Sequence, residues 1–379
     1  MLSRGIIAAA ILTYVAVLGC VMWKEDAPTD ASAQQAGSNI DVPRLATSMP
    51  ALTGLPYRSV GMQIQRVDWM DEYKKNMDEI AAIGADTVLL VVDARQEDGT
   101  SSRIYLDMRM TPTPDQLGGL IRHARDCNLR VILMPIVLLD NPKEKDWRGT
   151  IKPESWEEWW QSYRDMIKHF AWIAEGNGAN VLVVGSELVS TETPDKIEEW
   201  TKTITEIREI FKGQLTYSSN WDHYTAVKFW DQLDLIGMNS YWDFPPKKSR
   251  WEKGKEREIT IDQVKTKWKA IQADLLPFVQ RTGKPLLFLE VGWCSIASMG
   301  HEPWDYTLTE PPLDLDIQRR LYIGFFESWY GNPNLGGFSI WEWTPGDGGQ
   351  DHRGYTPENK PAEQVLREWL AKPRWQVKM

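Results

Sequence analysis

Eight short apolar runs rich in β-branched residues recur along the chain, each bounded by turn formers: Ser59 to Ile64, Thr87 to Val92, Val131 to Val137, Asn180 to Gly185, Leu215 to Ser219, Leu233 to Met238, Pro285 to Glu290 and Gly337 to Trp341. Runs that are apolar throughout, and not at alternate positions, suit strands buried on both faces, as in a parallel sheet covered by helices. Helical patterns lie between them: Trp69 to Ala82, Thr113 to Cys127, Ser155 to Glu175, Pro194 to Phe211, Ile261 to Gln280 and Asp316 to Tyr330. This alternation predicts the α/β class. Right-handed crossovers allow a closed barrel or a doubly wound open sheet. The barrel is favoured, because no glycine-rich phosphate loop follows the first run and polar residues gather just past the run ends, where barrel enzymes keep their chemistry. The expectation is a (β/α)8 TIM barrel spanning residues 51–379 as a single catalytic domain.

Ahead of it, residues 1–23 pair a single Arg4 with an apolar stretch from Gly5 to Trp23, the pattern of an export signal or membrane anchor. Val17-Leu18-Gly19-Cys20 resembles a lipoprotein processing box, so a lipid on Cys20, an uncleaved helix anchor and ordinary signal cleavage all stay open. Each places the body outside the cytoplasm, at the cell envelope or secreted, with a membrane as partner in the first two. Residues 24–50 are Ala, Pro, Ser, Gln, Gly and Asp without apolar period, which reads as a flexible linker.

A net charge of −10 would repel a polyanion, so nucleic acid is not expected as a partner. The three cysteines are widely spaced and give neither a disulfide framework nor a zinc site; Cys127 reads as a buried helix residue. The five histidines form no ligand motif; His123 and His169 read as surface or packing residues, and neither a metal nor a cofactor is expected. The chain is read as a monomer. The segment Lys247 to Glu258 mixes both charge signs and reads as a solvated loop that could wall one side of a cleft.

Two runs end on an ionisable residue: Val181-Leu182-Val183-Val184-Gly185-Ser186-Glu187 and Leu286-Leu287-Phe288-Leu289-Glu290. As the fourth and seventh strands of an eight-stranded barrel they stand on opposite walls, so Glu187 and Glu290 would face each other across the mouth. That is the arrangement glycosidic cleavage requires, and a spacing of roughly 5 to 5.5 Å would suit covalent capture of the sugar. One carboxyl must be neutral to protonate the leaving oxygen and the other ionised to attack, so their surroundings must split their pKa values.

Twenty tryptophans suggest a carbohydrate partner, since flat aromatics cover the C–H faces of sugars. Trp221, Trp242, Trp293, Trp341 and Trp343 follow strands; of these, Trp221, Trp293 and Trp341 are taken as substrate-binding candidates. Trp156, Trp159, Trp160, Tyr163, Ile167, Phe170 and Trp172 fall at helical spacing and read as core. Asn220 and Tyr241 are polar at the rim, and Tyr241 is placed to donate to Glu290.

At these residues the sequence resembles glycoside hydrolase family 113, a clan A family of β-mannan-cleaving barrels. Matching stretches include Trp147 to Pro153, Val184 to Leu188, Leu215 to Trp221, Leu235 to Tyr241, Leu289 to Trp293 and Gly354 to Glu363. The resemblance implies a retaining glycoside hydrolase acting on β-1,4-mannosidic bonds, with Glu187 as acid/base, Glu290 as nucleophile, and Asn220, Tyr241 and Trp341 around the reacting sugar. Ser186 stands where most clan A enzymes place an Asn that holds the sugar 2-hydroxyl. The chain departs from the pattern at Pro135-Ile136, where a Pro-His is expected, and at Trp341-Glu342-Trp343, where an amide commonly sits. A hydrolase for another β-glycan, including an amino sugar, and a non-hydrolytic surface glycan-binding protein stay open as alternatives.

Overall fold

All eight runs become strands of one sheet in the computed structural model, which describes residues 52–244, 258–297, 299–346 and 348–378. Residues 1–23 and 24–50, Cys20, and all but the last residue of the Lys247 to Glu258 segment lie outside the described residues. The barrel strands are β1 (Tyr57–Ile64), β2 (Thr87–Gln96), β4 (Arg130–Leu139), β5 (Val181–Ser186), β6 (Gln214–Ser219), β7 (Ile236–Asn239), β8 (Leu286–Val291) and β9 (Leu335–Ile340). Each pairs in parallel with the next, and β1 bonds to both β2 and β9, which closes the cylinder. Closure leaves no barrel strand with a free edge, and it buries the continuous apolar runs on both faces.

Helices α1 (Met70–Ala82), α2 (Pro114–Asp126), α3 (Trp156–Asn177), α4 (Ile197–Ile210), α5 (Ile261–Thr282) and α6 (Leu315–Trp329) fall on the predicted patterns. Their ends follow local chemistry. Thr113 accepts from the Gln116 amide while Gln116 reaches back to the Thr113 N–H, and Thr260 and Gln263 repeat this reciprocal cap. Gly178, at φ 78°, stops α3 in the left-handed region that side-chain-free residues enter most readily.

Four features depart from the sequence reading. A two-residue strand β3 (Ile104–Tyr105) adds antiparallel to the far end of β2, too short to leave a periodic trace. A further helix, α7 (Pro361–Leu370), begins on Pro361 behind the last barrel strand. Between β6 and β7, where the sequence shows no helical pattern, the chain forms a single 3-10 turn, Trp230–Gln232, so this crossover departs from the (β/α)8 plan. Finally, α3 buries Trp159, Trp160, Tyr163, Ile167 and Phe170, but Trp172 is 65% exposed, because the apolar stripe is narrower than the aromatic content suggested.

The N-terminal ends of β1, β2 and β4 are tied by a buried ionic cluster. The Arg58 Nε donates to Asp86 at 2.8 Å, Arg130 binds the same carboxylate, and Arg130 also reaches the Pro56 carbonyl at 2.8 Å. Burial raises the Asp86 carboxyl, but the charge of Arg130 and the hydrogen bonds from Arg58 outweigh it and hold the group below its usual range. Its stabilisation is therefore present above the unfolded carboxylate value and is lost as pH falls through the lowered folded value. Asp86→Asn should cost about 3 to 5 kcal/mol, because two buried guanidinium groups lose their counter-charge. The urea midpoint measures this, and a loss within experimental error of zero would remove the cluster from any account of the fold.

Candidate active site

The C-terminal ends of the strands open into a cleft of about 970 Å³. Glu187 and Glu290 both line it, with exposures of only 7% and 5%. Glu187 follows β5 directly at φ 54°, and its backbone N–H still donates to the Ser218 carbonyl of β6 at 2.8 Å. The chain thus turns sharply at Glu187 while remaining hydrogen-bonded to the sheet. Glu290 lies within β8, and the Ser240 N–H and hydroxyl both donate to its carbonyl, at 2.8 and 2.7 Å.

Each carboxylate is aimed by donors from other strands. Arg148, in the turn after β4, donates to Glu187 Oε2 at 2.6 Å, and Asn239, the last residue of β7, donates to Oε1 at 2.8 Å. The Ser218 hydroxyl donates to the Asn239 carbonyl oxygen at 2.7 Å, which fixes the amide with its nitrogen toward Glu187. The Tyr241 hydroxyl donates to Glu290 Oε2 at 2.6 Å, as the sequence led us to expect. Burial and the facing charge of Glu187 push Glu290 up to about 8, against the opposing pull of Tyr241 and Arg148. Burial alone would lower Arg148, but the charges of Glu187 and Glu290 raise it.

Behind Glu187, the Leu188 N–H donates to the Tyr217 hydroxyl at 2.9 Å, and that hydroxyl donates to Glu192 at 2.8 Å. This buried chain clamps the backbone just after the left-handed residue. Burial pushes Glu192 up to about 7, against the hydrogen bond from Tyr217, which favours its carboxylate.

Asn220, Trp221 and Trp341 line the cleft as the sequence predicts. Trp341 is held close by its own neighbours: its N–H donates to Val291 at 2.8 Å, and a Cβ on Gly292 would collide with its carbonyl oxygen. Trp221 stacks on Trp304, with ring centroids 6.3 Å apart and planes 23° from parallel, giving a flat aromatic wall. Trp242 packs behind Trp221, outside the lining, and Trp343 is buried with its indole N–H on Glu79.

Two expected substrate contacts are not on the cleft surface. Trp293 is fully buried, edge-on to Tyr322 and Phe244, because the chain turns inward after β8 and its indole fills the space beneath the loop. Ser186 is 2% exposed at the end of β5, where it is still in register with Ser218 and so stays within the sheet while the next residue turns out. Cys127, expected buried, is half-buried at the end of α2 and donates to Asp78.

Sequence reasoning assigned no role to Arg148, Asn239 or Trp304, nor to Gln63 and Tyr355, which also line the cleft. Asn239 left a signal, a polar residue ending an apolar strand as Glu187 and Glu290 do. Trp304 left none, since it lies in a loop without periodicity.

A family model described as Glycoside Hydrolase Family 113 matches residues 59–357. Among solved structures, the chain is similar to a Glycoside Hydrolase Family 113 β-1,4-mannanase in a complex, at 25% identity and TM-score 0.72, covering 85% of this chain and all of that one. It is similar as well to the family's β-mannanase AaManA from Alicyclobacillus acidocaldarius in complex with ManMIm, at 28% identity and TM-score 0.72, covering 84% and 98%. A GH5_18 protein from Streptomyces cattleya, in complex with Manb1-4GlcNAc, shares the fold at 12% identity and TM-score 0.55, covering 85% and 83%. No curated protein matches.

Tyr241→Phe removes a donor that lowers Glu290, so the carboxyl should titrate above its present value of about 8. Infrared difference spectra of the carboxyl stretch across pH would report this. An unchanged or lower midpoint would mean that the phenol does not stabilise the carboxylate.

Proposed function

Because the chain belongs to Glycoside Hydrolase Family 113 and is a glycoside hydrolase, we propose that it cleaves β-1,4-mannosidic bonds with retention of configuration. The observation that carries this reading is the pair of buried carboxylates on opposite barrel strands, each oriented by its own donors. The mannosidic specificity is supported by the likeness to two mannanases of the same family.

In the first step the Glu290 carboxylate attacks the anomeric carbon. A bond forms from its oxygen to that carbon, the glycosidic C–O bond breaks, and the departing oxygen takes a proton from Glu187. In the second step a water attacks the same carbon, Glu187 takes the water's proton, and Glu290 leaves as a carboxylate. The cycle begins with a proton on Glu187 and with Glu290 ionised under the Tyr241 hydroxyl, whose hydrogen bond favours the carboxylate. Arg148 and Asn239 hold Glu187 toward the scissile oxygen. Trp341 and the Trp221–Trp304 wall offer flat apolar faces to successive sugar rings, and Asn220 offers a polar group at the rim.

We further propose, from the sequence of residues 1–23, that the protein is exported and held at the envelope or released. Envelope retention predicts recovery with membranes until detergent is added. Recovery of the full-length chain in the cytoplasmic fraction would refute export.

Glu187→Gln and Glu290→Gln should each lower kcat on mannan by at least roughly 10²- to 10⁴-fold. An aryl β-mannoside with a good leaving group needs less protonation, so it should restore much of the rate to Glu187→Gln and none to Glu290→Gln. Proton NMR of the first-formed product reads the anomer directly. Inverted product, or rescue of the wrong variant, would overturn the assigned roles.

A further inference from the structure

Glu342 is a third carboxylate in the cleft, and the double displacement has no use for it. It follows Trp341 at the end of β9, and its charge reaches Glu290, so it stands beside the sugar that Glu290 would attack. The Gln63 side-chain amide donates to Glu342 Oε2 at 3.0 Å, and the Gln65 amide donates to Gln63 at 2.7 Å. Gln65 thereby fixes Gln63 with its nitrogen toward the carboxylate. Both amides are neutral: they aim Glu342 without balancing its charge.

The charges around it are uneven. Among the described residues that line the cleft, Glu187, Asp222, Glu290 and Glu342 are acidic, while the basic side chains are Arg148, which is bound to Glu187, and the imidazole of His352. Glu342 is half-buried, and a carboxylate partly withdrawn from water beside a neutral amide gains from a ligand that supplies a counter-charge. Burial accordingly pushes Glu342 up to about 7 despite the bond from Gln63. A neutral hexose would leave this imbalance in place, and the charge of Glu342 would go on opposing ionisation of Glu290. A cationic group on the sugar would pair with Glu342 and relieve that opposition at the same time.

Granted cleavage by Glu187 and Glu290 as set out above, we propose that Glu342 makes the cleft select a β-linked glycone carrying a free, protonated amino group. Glu342 is then a specificity-determining residue, with Gln63 and Gln65 as the residues that position it.

The test compares an aryl β-mannoside with counterparts in which each free glycone hydroxyl is replaced in turn by an amine, below the pKa of that amine. At least one amino counterpart should exceed the parent in kcat/KM by roughly tenfold to a hundredfold, the range of one charged hydrogen bond. Glu342→Gln should bring the two to parity. Should that variant melt early, N-acetylation of the preferred amine serves in its place, since it removes the charge from the substrate and should abolish the preference of the wild-type protein. The proposal is overturned if no amino counterpart exceeds the parent, or if the preference survives both Glu342→Gln and acetylation. Turnover of these substrates by Glu290→Gln would overturn instead the catalytic pair on which the proposal rests.

Discussion

Two acidic side chains face each other at the mouth of the barrel, each almost sealed from water, and most of what surrounds them answers the repulsion between them. At such burial each unit of charge is poorly screened. The structure meets this with one guanidinium, one amide and one phenol, each supplied by a different strand or turn and each directed at a named oxygen. The same repulsion, with burial, drives the Glu290 carboxyl above the ordinary carboxylate range. The chemistry proposed for the site takes advantage of the same repulsion, because two carboxyls that cannot both be ionised are a ready acid and a ready nucleophile.

The barrel makes this arrangement rigid. Its opposite rim is knitted by Arg58, Asp86 and Arg130 across β1, β2 and β4, while the catalytic rim is left to donors and aromatic walls. One end of the cylinder thus carries a paired ionic cluster and the other carries frustrated charge. That division follows the general pattern of barrel enzymes, in which the two ends serve stability and chemistry separately.

Much of this was legible in the amino-acid order. Continuous apolar runs gave the strands, and an acid at the end of two of them gave Glu187 and Glu290, because an ionisable group is conspicuous where burial begins. Tyr241 was legible for the same reason. Arg148 was not, since its pairing with Glu187 arises only once the turn after β4 is brought over the end of β5. Trp293 misled: an aromatic just past a strand can turn toward the cleft, as Trp341 does, or beneath the loop, and the sequence holds no sign of which. Trp172 misled for another reason, since helical spacing marks a stripe but does not fix its width.

The amide of Asn239 is engaged at both ends, receiving from Ser218 and giving to Glu187. It cannot flip without breaking both bonds, so one of the two donors that aim Glu187 is fixed by two neighbouring strands, while the other, Arg148, comes from the loop after β4. Loops other than the one that carries Arg148 could then be lengthened, shortened or recoloured with other aromatics over generations without disturbing the bond from Asn239 to Glu187. A lineage built this way is free to explore new glycans at its rim while its reaction centre stands still.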